Sequence, residues 1–238
     1  MKPPAEPPPE TLRSKAQLIF QALKQTYGHP RWHTPRPTMD EIISTILSQN
    51  TNDQNRDAAY QNLRRTFPTW EEVRDAPAEN VISAIRSAGL ANQKAPRIQI
   101  ILRQISVERG NLNLDFLTKM PCGEVRVWLM RFKGIGPKTA AIVMQFSLGC
   151  PAFPVDTHIY RVTGRLGLRP AKMNTEQAHS HLEQLFTPRQ YEACHLNLIR
   201  LGREICLARN PRCPDCPVNS WCDYFQGLAS NKNVAHIP

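Results

Sequence analysis

Cys206, Cys213, Cys216 and Cys222 fall within seventeen residues of one another near the end of a 238-residue chain. Four thiolates that close can enclose one metal centre, so the surrounding fold must bring them to a common point. A structural zinc ion usually takes two short Cys-x2–4-Cys pairs, one on each side of a tetrahedron. Only Cys213 and Cys216 form such a pair here. The wider steps on either side suit a larger object, a 4Fe–4S cube with one thiolate on each corner iron. Zinc remains the alternative on spacing alone. Asn210-Pro211-Arg212, Pro214 and Pro217 make the loop turn-rich, as wrapping a cluster requires. The other cysteines, Cys122, Cys150 and Cys194, stand apart and read as buried apolar thiols. A total of seven argues against a disulfide scaffold, and a cluster-type site points to a reducing compartment.

The rest of the chain reads as all-α. Leu12, Ala16, Ile19, Phe20 and Leu23 keep to one helical face. Thr38-Met-Asp-Glu41 has the pattern of a capping box, opening a helix with the stripe Met39, Ile42, Ile43, Ile46 and Leu47. Similar faces follow at Val81–Ala88, Ile98–Val107, Val125–Met130, Ala140–Leu148, Ala178–Phe186 and Ala193–Leu201, separated by turn signals. No run alternates as a strand would, and roughly ten helices are expected. The longest mostly apolar stretch, Ala140–Leu148, is far too short to cross a bilayer. Met1–Glu10 holds five prolines and reads as a disordered tail, neither a signal peptide nor a transit sequence. With no targeting signal in view, a cytoplasmic location is expected, nucleoid-associated if the source is bacterial.

Charge narrows the partner. Lys+Arg 30 against Asp+Glu 20 gives a net charge of +10. Such a surface attracts polyanions with a strong salt dependence. Nucleic acid is the favoured partner, although basic composition does not establish it.

The most chemically suggestive segment is Lys133-Gly134-Ile135-Gly136-Pro137-Lys138. Two glycines permit a tight hairpin, and Pro137 suits the first position of a helix. The N–H groups of Gly134, Ile135 and Gly136 and of the next helix turn are expected to point outward together and bind a phosphate. Lys138 falls in that first turn, where the positive end of the helix disfavours an ammonium. This suits a nucleophilic amine; a phosphate-contacting surface lysine is the equal alternative. Eighteen residues on, Asp156 or Thr157 can cap the following helix, and a carboxylate near a sugar can also stabilise developing positive charge.

Taken together, Phe132 to Ala140, then Val155-Asp156-Thr157-His158, then the four-cysteine spacing resemble the endonuclease III family of DNA glycosylases. That family belongs to the helix-hairpin-helix superfamily and carries an iron–sulfur loop. The likeness runs from about Leu12 to Cys222, with the Lys-to-Asp interval kept. It implies a two-lobed, all-α fold: a six-helix barrel over residues 30–149, and a cluster lobe from 11–29 plus 150–238, with a DNA cleft between them. It makes Lys138 the nucleophile, Asp156 the assisting carboxylate, and Cys206, Cys213, Cys216 and Cys222 the ligands of a 4Fe–4S cluster. The implied partner is double-stranded DNA with a damaged base or abasic site, bound by a monomer. Leu47-Ser48-Gln49-Asn50-Thr51-Asn52-Asp53 matches the loop that fills the gap left by a flipped base, and Ser87-Ala88-Gly89-Leu90-Ala91-Asn92-Gln93-Lys94 matches the segment whose leucine wedges between bases. Asn50 stands where well-known members carry glutamine, with Gln49 beside it. Lys133 replaces a common proline and can add a phosphate contact. Arg200, Arg203, Arg209 and Arg212 are expected to face phosphates beside the cluster loop.

The implied activity is a glycosylase with AP lyase action on oxidised pyrimidines. The alternatives are a monofunctional mismatch glycosylase, against which Lys138 argues, and a non-catalytic DNA-binding paralogue. Adenine-specific relatives carry an extra C-terminal domain for which 238 residues leave no room.

Overall fold

Apolar residues at helical spacing fold into helices throughout, and among the described residues there is no strand. The computed structural model describes residues 9–31 and 35–234, the last six by backbone alone. The helices run α1 (Glu10–Tyr27), α2 (Thr38–Leu47), α3 (Asp53–Thr66), α4 (Trp70–Asp75), α5 (Ala78–Ala84) and α6 (Ala91–Arg109). They continue with α7 (Cys122–Met130), α8 (Pro137–Phe146), α9 (Thr157–Arg165), α10 (Thr175–Leu185), α11 (Tyr191–Glu204) and α12 (Asp223–Val234). Of the tail expected over Met1–Glu10, residues 1–8 lie outside the described residues, and Glu10 already begins α1.

The chain divides into two units. One holds the described residues of Thr34–Cys150, the other those of Met1–His33 and Pro151–Pro238. In the first unit α2 packs on α8, α8 on α7, and α6 on both α4 and α5. Ile42, Ile43, Ile46, Leu63, Ile98, Ile101, Val125, Leu129 and Val143 are fully buried there. At about 2 kcal/mol per fully buried aliphatic side chain, this apolar face holds the helices together far more than propensity does. In the second unit α11 packs on α1 and α9 around Phe153. The Phe153 ring stacks on Phe186 at 5.6 Å and meets Tyr191 edge-on.

Two expectations require correction. No capping box opens α2: Pro37 is the N-cap residue and makes no side-chain cap. Thr38 is buried, its hydroxyl accepting a hydrogen bond from Ser147 Oγ at 3.2 Å. Glu41, the intended reciprocal partner, is buried as well and accepts only a long bond from Thr45. Nor are Cys122 and Cys150 isolated thiols: they form a disulfide with Cα atoms 5.5 Å apart. The antiparallel return of α8 along α7 brings them together, which a separation of 28 residues conceals. Cys194 does behave as expected, fully buried and with its pKa pushed up by desolvation.

Glu41 yields a stability prediction. Among the described residues its Oε2 has no hydrogen-bond partner, and burial raises its pKa despite Arg36, Thr45 and Arg56. A carboxyl with a raised folded-state pKa binds more protons folded than unfolded, so its burden on stability grows as pH rises above the ordinary carboxylate range. Glu41→Gln is therefore expected to gain on the wild type between pH 5 and pH 8, reaching about 1 kcal/mol or a few degrees in Tm. Parallel thermal melts at the two pH values check this; a constant difference between the proteins counts against it.

Candidate active site and metal centre

The Gly-x-Gly segment forms the hairpin expected between two helices. Gly134 has φ +110, which a side-chain-bearing residue rarely adopts, and Gly136 is the extended N-cap residue of α8. A Cβ on Gly134 would run into the aliphatic part of the Arg97 side chain on α6. The N–H groups of Gly134 and Gly136 make no hydrogen bond among the described residues. Ile135 differs from expectation: its N–H donates to Phe132 O at 3.0 Å and its side chain is buried, so it braces the hairpin from inside. Lys133 is exposed. Lys138 is the second residue of α8, half-buried, directly after Pro137.

The two gap-filling segments leave helix ends of the same unit. Gln49 follows α2, and its Oε1 accepts from Arg97 Nη1 at 2.8 Å. Arg97 thus touches both the Gln49 segment and the Gly134 hairpin. Asn50 is exposed and has φ 54; Leu90 is 47% exposed and has φ 50. A left-handed conformation costs a residue with a side chain about 1–2 kcal/mol, more for bulky leucine than for asparagine. It persists only where the surroundings impose it.

Asp156 belongs to the other unit. It caps α9, Oδ1 accepting from Ile159 N at 2.7 Å. The cap holds the carboxylate in one orientation and leaves Oδ2 outside that hydrogen bond.

Cys206, Cys213, Cys216 and Cys222 all carry free thiols and line one cavity. Burial raises the pKa of Cys216 to about 11 and that of Cys213 and Cys222 less, each thiol reinforced by its neighbours. Four soft donors that repel one another as thiolates fit a cationic iron–sulfur core, which removes that repulsion. Among the described residues no three His, Cys, Asp or Glu side chains converge on a single ion. The four thiols line that one cavity together, as a cluster with one thiolate on each corner iron requires. Two arginines of α9 secure the loop: Arg161 donates to Cys206 O and Gly202 O, and Arg165 to Cys206 Sγ at 3.4 Å and Leu207 O at 2.6 Å.

The four arginines expected to face phosphates are all exposed. Arg200 donates to Glu204 and lies over the Tyr27 ring, and Arg212 donates to Glu204 O. Sequence reasoning passed over Lys94 and Arg97, since cations in the first turns of a helix ordinarily lie in solvent. The bonds that reveal their roles join segments nearly fifty residues apart.

A glycine hairpin between short helices, a lysine in the following turn, a capped aspartate and a four-cysteine loop define a helix-hairpin-helix DNA glycosylase. The HhH-GPD superfamily base excision DNA repair protein model matches residues 43–188, and the iron–sulfur binding domain of endonuclease III matches residues 206–222. The chain belongs to the endonuclease III family of base excision repair DNA glycosylases, carrying that family's 4Fe–4S cluster domain. It is 33% identical to endonuclease III of Sulfolobus acidocaldarius, over 77% of this chain and 81% of that protein. It is 30% identical to endonuclease III of Thermotoga maritima, over 83% and 88%. The solved structure of a non-covalent endonuclease III–DNA complex superposes with a TM-score of 0.79 at 25% identity, covering 92% of this chain and 98% of that one. No helix among the described residues is long and apolar enough to cross a membrane.

Proposed function

We propose that this enzyme removes oxidised pyrimidines from duplex DNA and then cuts the strand through a Schiff base on Lys138. The observation that carries the reading is Lys138 in the opening turn of α8, immediately behind the glycine hairpin. The free N–H groups of Gly134 and Gly136 would hold a backbone phosphate, setting the deoxyribose of a flipped nucleotide before the amine. The Lys138 Nζ lone pair then attacks C1′, and the bonding pair of the glycosidic bond leaves with the base, which takes up the proton the amine gives up. Opening of the sugar ring gives an iminium on Lys138. Loss of a C2′ proton expels the 3′ phosphate, and water finally frees the lysine. Asp156 would stabilise the positive charge that spreads over C1′ and the ring oxygen as the base departs. Asn50 and Leu90 would occupy the gap left in the stack, the asparagine facing the orphan base with a shorter reach than glutamine.

In this reading the unit around α2–α8 is the barrel lobe, and the unit holding α9–α12 is the cluster lobe. Cys206, Cys213, Cys216 and Cys222 hold the 4Fe–4S cluster, which when bound supplies a covalent cross-link to a loop with little regular structure. The protein acts as a monomer in the cytoplasm, its Cys122–Cys150 bond an exception to the reduced thiols usual there.

The test is a duplex with one thymine glycol, incubated with and without borohydride. Free thymine glycol, a strand cut 3′ to the lesion and a reduced covalent adduct are expected. Base release leaving only an alkali-labile site would assign a monofunctional glycosylase instead. Neither release nor adduct would reject the lesion class.

A further inference from the structure

We propose that Lys94 is a positioning residue that locks the Gln49–Asn50 and Gly89–Leu90 segments in register, so that both enter the DNA stack as one unit. Lys94 lies at the start of α6, only 1% exposed. Its Nζ donates to Leu47 O at 2.7 Å and to Ala88 O at 2.8 Å. These carbonyls end two separate elements, α2 and the 3-10 turn Arg86–Ala88. Terminal carbonyls lack a partner within their own helix and carry its negative end, so one ammonium satisfies both without any carboxylate. A cation buried this deeply is unfavourable unless fully engaged, and it resists displacement from the pair of carbonyls that hold it.

What lies beyond those two carbonyls gives the arrangement its meaning. Asn50 comes three residues after Leu47, and Leu90 two residues after Ala88. Among the described residues the only non-glycine residues with positive φ are Asn50, Leu90 and Asn210. Two of the three therefore project from the anchors that Lys94 ties together. A left-handed backbone relaxes if its base can move. With both bases fixed to one Nζ, the asparagine and the leucine keep both their conformations and their separation before DNA arrives. Arg97, a turn further along α6, extends the same bracing through Gln49 to the hairpin.

The inference rests on the reading of Asn50 and Leu90 as residues that contact DNA, and the test separates the two. Affinity is measured for a duplex carrying a tetrahydrofuran abasic analogue and for an undamaged duplex, alongside kcat/KM on thymine glycol. Lys94→Met is expected to lower the preference for the abasic duplex about tenfold, leaving undamaged affinity, set by phosphates, in place. In a background carrying Leu90→Ala and Asn50→Ala the same change should have little further effect, since the residues it positions are gone. An equal loss in both backgrounds overturns the role of Lys94 while the DNA contacts stand. No loss from Leu90→Ala with Asn50→Ala overturns the contacts and, with them, this proposal. Should Lys94→Met melt below the assay temperature, Lys94→Gln, which donates to one carbonyl only, carries the same cycle. An intermediate loss is then expected, and an additive result again overturns the role.

Discussion

Lys138→Ala is expected to abolish the borohydride-trapped protein–DNA adduct and to slow base release on the order of 10³-fold or more. The effect is large because no other group can replace an amine that forms a bond to the sugar. Lys138 is half-buried in the first turn of α8, and its removal leaves the helix and its Pro137 start in place. Alanine is itself the best helix former. The comparison therefore separates chemistry from folding: a melt matching the wild type accompanies the lost adduct. Affinity for undamaged DNA should fall only slightly, by the contribution of one charge. An adduct that survived would have to be reassigned to another amine, and a loss confined to binding would leave Lys138 a phosphate contact.

The second large effect concerns the disulfide. Cys122 opens α7 and Cys150 follows α8, so the bond closes a loop containing the whole helix-hairpin-helix element. Closing a loop of this length removes enough unfolded-state entropy to stabilise the chain by about 3.5 kcal/mol. Replacing both cysteines by serine is expected to lower Tm by about 10 °C. Dithiothreitol should shift the wild type by the same amount and leave the double variant unmoved. A melt that does not respond to the reductant would mean that these sulfurs do not bridge in solution.

The resemblance and the bare residues together made much of this molecule readable in advance. The hairpin, the helix starting at Pro137 and the Asp156 cap are local features, each set by residues within about four positions, and they are where the patterns placed them. Failures came where distant chain segments intervene. Thr38 and Glu41 match a capping box, yet Ser147 takes the threonine hydroxyl and burial takes the carboxylate. Helix α3 escaped notice because only Ala59 and Leu63 of its fourteen residues are buried, too few for a visible stripe. Ile135 reads as a phosphate contact until its N–H is found on Phe132 O. Lys94 is the extreme case: nothing in its neighbours distinguishes an interior ammonium from a solvated one.

Helix α9 has a consequence of its own. Its first cap is Asp156, and its later turns carry Arg161 and Arg165, both bonded to the Cys206 region. Nine residues of helix make a rod of about 13 Å, so one rigid element carries the capping carboxylate at its start and the two arginine anchors of the cysteine loop in its later turns.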